Sequence, residues 1–419
     1  MSASSARRAL TAAVVGNVLE WYDFAVYSFM AGALGRNFFP TGDPATELLA
    51  SFAAFGVGFL ARPLGGIVLG RLADLQGRKR ALLVTIFLMA AGTLIIGLAP
   101  TYRTVGVAAP IILLAARLMQ GFSAGGEWGG STAFIVEWAP HGRRGLFGSF
   151  QQCSVSGGLL LGSAMAATVS SLVSPEAFDA WGWRVPFLVG GLLGPIGLYM
   201  RRAMDETPAY TRVRAAVQPA PAGAPSPIAL AARAFGFTVH WTVSYYIFLN
   251  FMPTFTQRYA QLTGPQALWS NTVGLIALVV SIPLMGGWSD RIGRRPLLLA
   301  CCAAFVLLPY PLARLIVTGP PLGAIIAIQL GVAVVIALFG GAGPAAIAEI
   351  FPTRIRSTWM TTGYALATAI FGGFAPYVAT WLIRATGSPV AWVFYVMAAA
   401  IVSGVVILRL DETAHRPLA

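Results

Sequence analysis

The chain has 419 residues, of which 57% are hydrophobic and only 10% are charged, and its mean hydropathy is +0.73. Soluble domains carry about 25% charged residues, so this composition excludes an ordinary soluble protein and indicates a membrane protein. The formal net charge of +13 would suggest nucleic acid as a partner in a soluble protein, but here the basic residues follow a membrane topology, and we expect no nucleic acid.

Apolar stretches follow one another along the chain with short breaks, and each is long enough to cross a hydrocarbon layer of about 30 Å. The first follows "MSASSARRAL" and is too long for a signal-peptide core, so we expect it to be retained. The sequence predicts an all-α membrane protein with twelve transmembrane helices. The predicted spans are residues 10–35, 47–72, 81–101, 106–139, 145–172, 184–203, 229–257, 267–288, 296–318, 322–348, 357–385 and 389–409.

The basic residues are distributed unequally between the two sides of these spans. If the N-terminus is cytoplasmic, most lysines and arginines fall on the cytoplasmic side. The other side receives only Arg36, Arg103, Arg184, Arg258 and Arg384. This positive-inside asymmetry predicts a multi-pass membrane protein with both termini in the cytoplasm.

Three short patterns occur twice. "GRLADLQGRK" (70–79) and "GGWSDRIGRR" (286–295) share Gly, Asp, Gly and Arg at positions 216 residues apart. "EWAPHGRR" (137–144) is repeated as "EIFPTRIR" (349–356), and "DET" occurs at 205–207 and 411–413. The order and spacing predict two pseudo-symmetric six-helix halves, residues 1–211 and 229–419, joined by a Pro/Ala-rich cytoplasmic linker at 212–228.

The motif "G-x-x-x-D-x-x-G-R-[KR]" after the second span of each half resembles the major facilitator superfamily. The metabolite:proton symporter family is the more specific resemblance, and it extends over nearly the whole chain. The segments that carry it are "NVLEWYDF" (17–24), "RLMQGFSAGGEWGG" (117–130), "WGWRVPF" (181–187), "RRAMDETPAY" (201–210) and "EIFPTRIR". Members carry proline and betaine, shikimate, 2-oxoglutarate or citrate. The resemblance therefore implies proton-coupled transport by alternating access, in the bacterial plasma (inner) membrane.

The repeated loops combine an acid, glycines and basic residues at fixed spacing. Glycine permits a tight reversal, and the acid can lie against a helix N-terminus or pair with an arginine. The resemblance implies that these groups form a cytoplasmic gate, with Glu137 pairing with Arg143 or Arg144, and Glu349 with Arg354 or Arg356. In the first motif copy Leu75 replaces the arginine of the second. The predicted gate residues are Asp74, Arg78, Lys79, Glu137, Arg143, Asp290, Arg291, Arg294, Glu349 and Arg356.

Ionisable residues inside the spans are costly and indicate function. Glu20 and Asp23 share a face of span 1, where each raises the proton affinity of the other, and Glu127 lies on span 4. These three are the predicted proton-coupling residues, and Arg117 on span 4 is the expected partner of Glu20 or Asp23. A permanent structural ion pair remains the alternative. The resemblance implies that spans 1, 4, 7 and 10 line the central cavity.

Polar and aromatic side chains on spans 4, 5 and 7 could hold a small polar ligand. For His240, packing in the core is as consistent with the sequence as ligand binding. Pro253 is expected to break span 7. The predicted substrate-binding residues are Arg117, Gln120, Gln151, Gln152, His240, Tyr245, Tyr246 and Asn250.

The leading hypothesis is a monomeric secondary active transporter that couples protons to the uptake of a small organic acid, a di- or tricarboxylate or a 2-oxo acid. An alternative substrate is a zwitterionic osmolyte such as proline or glycine betaine, and an alternative class is a transporter-like sensor or channel. An enzyme is not expected, because the three histidines are scattered over the chain and none of them begins an "HExxH" motif. Cys153, Cys301 and Cys302 show no metal-ligand spacing, so neither a metal nor a cofactor is expected.

Overall fold

A computed structural model describes residues 17–76, 78–125, 127–137, 139–140, 142–202, 226–416 and 418. Several side chains on the helices are outside this description, namely those of residues 70, 71, 73–76, 78–82, 127, 134, 193, 196–202, 353, 354 and 357. The regular structure within the described ranges is helical throughout, as the all-α prediction requires.

Helices α1 to α6 form the first half. α1 comprises residues 17–29 and continues as Ala31–Phe38, α2 is Pro44–Leu60 continued by Arg62–Gln76, and α3 is Arg78–Leu98. α4 is Ala108–Ala124 continued by Glu127–Glu137, α5 is Arg144–Leu172, and α6 is Arg184–Arg202. Short helical turns, Tyr102–Val105, Pro175–Ala177 and Phe178–Gly182, lie in the connections.

Helices α7 to α12 form the second half. α7 is Pro227–Tyr246, continued by a π-helical turn at Ile247–Phe251 and by Met252–Tyr259. α8 is Gly264–Ile292, α9 is Arg294–Leu307 followed by Pro309–Val317, and α10 is Leu322–Glu349. α11 is Thr353–Ala367, a π-helical turn at Thr368–Gly372 and Ala375–Thr386, and α12 is Trp392–Leu408.

These twelve helices correspond one to one to the twelve predicted spans. By length and hydropathy alone, six described segments can each cross a membrane: Pro44–Leu69, Ala108–Glu137, Arg144–Leu172, Gly264–Ile292, Leu322–Glu349 and Thr358–Thr386. The two parts of α9, bent by 44°, add a seventh, and Leu83–Leu98 and Trp392–Leu408 are apolar but shorter. The predicted fold, twelve transmembrane helices in two pseudo-symmetric halves, is confirmed.

Local sequence determines where several helices begin. Asp43 accepts bonds from the backbone N–H groups of Ala45 and Thr46, both at 3.2 Å, and so caps α2. Thr263 and Gln266 form a reciprocal capping box at the start of α8. These caps satisfy backbone donors that a helix cannot pair internally.

Pro253 does not break α7 as predicted. The chain passes through the π-helical turn Ile247–Phe251 and continues as Met252–Tyr259, with Pro253 within the first turn of that segment. A π-turn shifts the hydrogen-bond register, so the missing N–H of the proline is accommodated without ending the helix.

Glycines allow two helices of the first half to touch through their backbones. A Cβ atom at Gly121 of α4 would lie 1.5 Å from the carbonyl oxygen of Gly58, and one at Gly65 of α2 would lie 1.8 Å from that of Phe122. In lipid the hydrophobic effect does not hold helices together, so close backbone packing of this kind stabilises their association. It also fixes α2 against the helix that carries Arg117.

The two halves meet along α5, which packs against α8 and α10, and along α2, which packs against α11. Three of the predicted substrate residues, Tyr245, Tyr246 and Asn250, contact α5, α2 and α1 and so lie where the halves meet. We call the end of the bundle that carries residues 137–146, 286–295 and 349–356 the motif end, and the other end the opposite end.

Candidate transport site and gates

Asp23 of α1 is buried, with 4% of its surface exposed. Its Oδ1 atom would lie 2.6 Å from a Cβ placed at Gly190 of α6, and its side chain hydrogen-bonds to Thr93 of α3. Within the described residues Oδ1 has no hydrogen-bond partner. The carboxyl group therefore faces the interior of the first half. Glu20 is also buried, at 8% exposure.

A chain of side-chain hydrogen bonds connects Asp23 to Arg117. Thr93 bonds to Asp23 and its hydroxyl oxygen accepts from Gln120 Nε2 at 2.8 Å. Gln120 Oε1 in turn accepts from Arg117 Nη1 at 2.7 Å. We call Asp23, Thr93, Gln120 and Arg117 the relay.

The expected direct ion pair between Arg117 and Asp23 is absent from the salt bridges of the described residues. Arg117 is fully buried and donates instead to Gln120 and, at 3.2 Å, to the carbonyl oxygen of Phe55. Its guanidinium also lies 4.5 Å from the ring centroid of Tyr27 and 5.0 Å from that of Phe24. Among the described residues, this charge therefore directly contacts aromatic faces and neutral acceptors, and it does not form the predicted ion pair with Asp23.

Sequence analysis missed Arg62, at the start of the second part of α2. It is 4% exposed, and its guanidinium lies 4.2 Å from the ring centroid of Phe59, 4.6 Å from that of Phe24 and 5.5 Å from that of Trp21. Charges inside spans indicate function, and Arg62 lies within the predicted span 47–72, so this rule would have identified it. The predicted site was restricted to charged residues on spans 1, 4 and 7 and therefore did not include Arg62 on span 2.

The predicted residues of α7 divide between two locations. Tyr245 bonds to Ser156 of α5 at 2.8 Å, and the Asn250 amide oxygen accepts from Ser28 of α1 at 2.9 Å, so both connect the halves. The Tyr246 ring lies 5.4 Å from Phe59 of α2, and its hydroxyl has no partner in the described part of the chain. These three side chains lie at the interface of the halves, as a substrate site between repeats requires.

His240 does not join them. Its ring packs against Phe305 of α9 at 4.8 Å and Phe339 of α10 at 5.6 Å, and Nε2 lies 3.6 Å from Cys301 Sγ. The ring therefore lies in the core of the second half, which corrects its inclusion among the predicted substrate ligands. Period-3.6 patterning cannot distinguish a cavity face from a face covered by neighbouring helices.

The glutamines of α5 are both buried. Gln152 hydrogen-bonds to Tyr245, whereas neither amide atom of Gln151 has a partner among the described residues. Glu127 begins the second part of α4, but its side chain is outside the described residues. Its proposed part in proton coupling remains a prediction from sequence.

At the motif end, Asp290 caps a helix of the other half. Its carboxylate oxygens accept from the backbone N–H groups of Gly145 at 2.7 Å and Leu146 at 2.9 Å, at the N-terminus of α5. Arg294 donates to the same carboxylate at 2.8 Å and to Ser289 at 2.7 Å. The acid thus bonds both to a helix N-terminus and to an arginine, and it joins the halves.

The pairs formed by the second repeated motif cross between the halves, which corrects the predicted pairing. Glu137 of α4 pairs with Arg356 of α11 at 2.6 Å, and Glu349 of α10 pairs with Arg144 of α5 at 3.0 Å. Arg294 also approaches Glu349, at 3.4 Å. Each acid was expected to pair with an arginine that follows it closely in sequence, but the two motif loops face each other and exchange partners.

The segment after α12 contributes to the same cluster. Glu412 accepts from the backbone N–H groups of Arg294 and Arg295, both at 2.9 Å, and so caps α9. Thr413 Oγ1 donates to Glu349 at 2.5 Å. Burial alone would raise the pKa of Glu412, but bonds from these and neighbouring backbone N–H groups hold it below its ordinary value. Gly293, at φ +104°, makes the predicted reversal between α8 and α9.

Other predicted gate residues do not take part in the buried cluster or cannot be placed. Arg143 and Arg291 are exposed at the motif end. Asp74, Arg78 and Lys79 lie on α2 and α3, but their side chains are outside the described residues.

The halves also contact each other towards the opposite end. Arg384 of α11 pairs with Asp43, the cap of α2, at 3.3 Å, and the hydroxyls of Ser163 and Thr272 lie 2.8 Å apart. Contacts between the halves therefore exist at both ends of the bundle in this conformation.

Comparison with known proteins identifies the family. The family model described as Sugar (and other) transporter matches residues 9–223, and the one described as Major Facilitator Superfamily matches residues 234–418. The proline/betaine transporter of Salmonella typhimurium is 36% identical, covering 98% of this chain and 85% of its own. The citrate-proton symporter of Klebsiella pneumoniae is 34% identical over 91% of this chain and 87% of its own.

The alpha-ketoglutarate permease of Escherichia coli is 34% identical and covers 98% of this chain and 96% of its own. Among solved structures, a partially occluded inward open conformation of the xylose transporter XylE from E. coli matches with a TM-score of 0.82 at 15% identity, covering 99% of this chain and 100% of that one. The chain therefore belongs to the major facilitator superfamily and, within it, to the metabolite:proton symporter family.

Proposed function

We propose that the protein imports a small organic acid together with protons, by alternating access. The observation that carries this proposal is the relay, which joins a buried carboxyl group on α1 to a buried guanidinium on α4 through two neutral side chains. A carboxyl group in such a place can bind and release a proton within the membrane, and its state reaches Arg117 through hydrogen bonds.

The Thr93 hydroxyl is the point at which the relay responds to the proton. It has one hydrogen and donates it to the carbonyl oxygen of Met89 at 3.0 Å. While that hydrogen is on Met89, only a protonated Asp23 can supply the hydrogen of the bond between Asp23 and Thr93, whereas an ionised Asp23 accepts only from a hydroxyl that has turned away from Met89. When Asp23 loses its proton, the Thr93 hydroxyl must turn towards the carboxylate or lose its bond to Asp23. Either change alters the hydrogen bond from Gln120 to Thr93, and through Gln120 it reaches Arg117.

The cluster at the motif end supports a gate. Asp290, Glu349 and Glu137 each bond to groups of the other half, so all three contacts must break before the halves separate there. We place this end in the cytoplasm because most basic residues of the loops fall on that side. The contacts at the opposite end would break in the outward-open state.

Relatives with different substrates share nearly equal identity with this chain, at 36% and 34%. A zwitterionic osmolyte is therefore the second candidate, and the aromatic rings favour it. Trp128 stacks on Tyr364 with ring centroids 3.5 Å apart, and Trp241 lies 5.8 Å from Trp128. Separation of the stacked pair would expose ring faces of the kind that bind quaternary ammonium groups.

Uptake into proteoliposomes tests the proposal. Radiolabelled 2-oxoglutarate, citrate, proline and glycine betaine would be supplied in turn under an imposed pH gradient, with and without a protonophore. We expect one class to accumulate and the protonophore to abolish accumulation. Accumulation that survives the protonophore but requires sodium would contradict proton coupling.

Two variants of the acids test the coupling residues. Asp23→Asn and Glu20→Gln should each weaken gradient-driven accumulation, and at least one should leave counterflow intact, because counterflow does not require net proton movement. Loss of counterflow in both variants would indicate that the acids support structure or substrate binding instead.

A further inference from the structure

Arg62 differs from the other buried arginines in what its N–H groups contact. Arg117, Arg144, Arg294 and Arg356 each donate to at least two acceptors. For Arg62 the described residues provide neither a hydrogen bond nor an ion pair, and Nε and Nη2 are buried without a partner. Among the buried arginines of the described residues, Arg62 is thus the one whose N–H edge has no acceptor within the described part of the chain.

The aromatic rings around Arg62 offset only part of the free-energy cost of burying its charge. Phe59, Phe24 and Trp21 contact the guanidinium with their rings, and cation–π attraction stabilises the charge. A ring face does not accept the in-plane N–H bonds, and an unpaired buried donor is costly. The free edge of a guanidinium matches a carboxylate, which accepts two parallel bonds from it.

Arg62 lies where the two halves must separate and close. The ring of Tyr246 on α7 is 5.4 Å from that of Phe59, and Arg62 interacts electrostatically with Tyr246 and with Tyr364 of α11. The backbone of Arg62 is held firmly, since a Cβ at Gly125 of α4 would lie 2.0 Å from its carbonyl oxygen. The guanidinium therefore has a defined position on the first half and faces the second.

The internal repeat indicates that this charge is specific to the first half. The position 216 residues after Arg62 is Leu278 of α8, which is fully buried. The packing of the repeated helix is thus compatible with an apolar side chain, and an arginine here requires another reason.

We propose that Arg62 binds the carboxylate of the transported substrate. The free N–H edge forms the bidentate contact, the rings of Trp21, Phe24 and Phe59 shield it from water, and the unpaired hydroxyl of Tyr246 donates to the same group from the second half. This inference rests on the proposed function and deepens it. Organic acids and zwitterionic osmolytes both carry a carboxylate, so Arg62 serves either class.

Binding to purified protein tests the inference, with 2-oxoglutarate, citrate, proline and glycine betaine as probes. Arg62→Gln removes the charge and the fork, so affinity for the probe that binds wild type should fall about 100-fold, as expected for the loss of two charge-assisted bonds. Arg62→Lys keeps the charge but not the fork and should lose about 10-fold. Arg233→Gln, at an exposed arginine of α7, is the control and should bind like wild type.

A second ligand and a second variant separate a binding role from a structural one. If glycine betaine binds, choline, which lacks the carboxylate, should not compete with it. If Arg62→Gln does not fold, as judged by gel filtration and thermal melting, Arg62→Lys and Tyr246→Phe still test the site. We expect Tyr246→Phe to weaken binding about 5-fold, as for one lost neutral hydrogen bond.

The outcomes distinguish this inference from the proposed function. A wild type that accumulates a probe while Arg62→Gln binds it unchanged would overturn the role of Arg62 alone. A wild type that binds a carboxylate through Arg62 but does not accumulate it would support Arg62 and contradict the transport proposal. A wild type that binds none of the four probes would overturn both.

Discussion

Glu349→Gln tests the gate at the motif end most directly. Glu349 is 2% exposed on its side chain and lies 3.0 Å from Arg144 and 3.4 Å from Arg294, which come from different halves. Arg294 retains Asp290 at 2.8 Å in the variant, so Arg144 is the group that loses its carboxylate. Removing one partner of a buried ion pair costs about 3 to 5 kcal/mol.

That cost applies to the closed state, because opening the motif end hydrates Arg144. We use the lower end of this range, about 3 kcal/mol, because glutamine still accepts one hydrogen bond. A loss of about 3 kcal/mol from the closed state should shift the equilibrium between the closed and open states about 150-fold towards the open state. A closed state that dominates in wild type by less than about 150-fold would then become the minor one. Substrate affinity within either state should not change, because the contacts of Glu349 within the described residues are to Arg144, Arg294 and Thr413 and not to Arg62 or the relay.

The distance between spin labels at Arg143 and Arg409, exposed positions of the two halves at the motif end, measures this equilibrium in a cysteine-free background. Glu349→Gln should add a long-distance population. The control is Asp411→Asn, since its pair with Arg416 is exposed at 76% and 62% and contributes at most about 1 kcal/mol. Identical distance distributions in wild type and Glu349→Gln would refute this account of the gate.

Three further outcomes are expected. Thr93→Val breaks the relay, so accumulation under a pH gradient should fall about 10-fold or more while counterflow changes less than about 2-fold, and equal losses in both assays would contradict the relay. Gly121→Ala should destabilise by about 1 to 3 kcal/mol or more because its Cβ would lie 1.5 Å from a carbonyl oxygen, whereas Gly130→Ala, with open space around it in a helix, should not lower the melting temperature. The lowered pKa of Glu412 means that its cap is fully formed above the ordinary glutamate value, about 4.3, and is lost as pH falls through the lower folded value. The difference in thermal stability between wild type and Glu412→Gln should therefore be constant from about pH 7 to 5 and shrink below about 4, and a difference that does not change with pH would contradict the cap.

Residues close in sequence and residues far apart differ in how well their roles could be predicted. The predicted substrate residues Tyr245, Tyr246 and Asn250 do lie at the interface of the halves. His240, on the same helix, lies in the core of the second half because α9 and α10 cover that face. Helical periodicity places residues on a face, but it does not say which neighbour covers the face.

The sequence by itself determined the twelve helices and the two halves, because a backbone in lipid must satisfy its hydrogen bonds within each span and apolar length alone then defines a helix. Only the tertiary structure decided the charge pairing. Glu137 pairs with Arg356, 219 residues away, and Arg117 reaches Asp23 through Gln120 and Thr93. Such pairs depend on which helices become neighbours and at what depth, and electrostatic attraction acts between whichever groups the packing brings together.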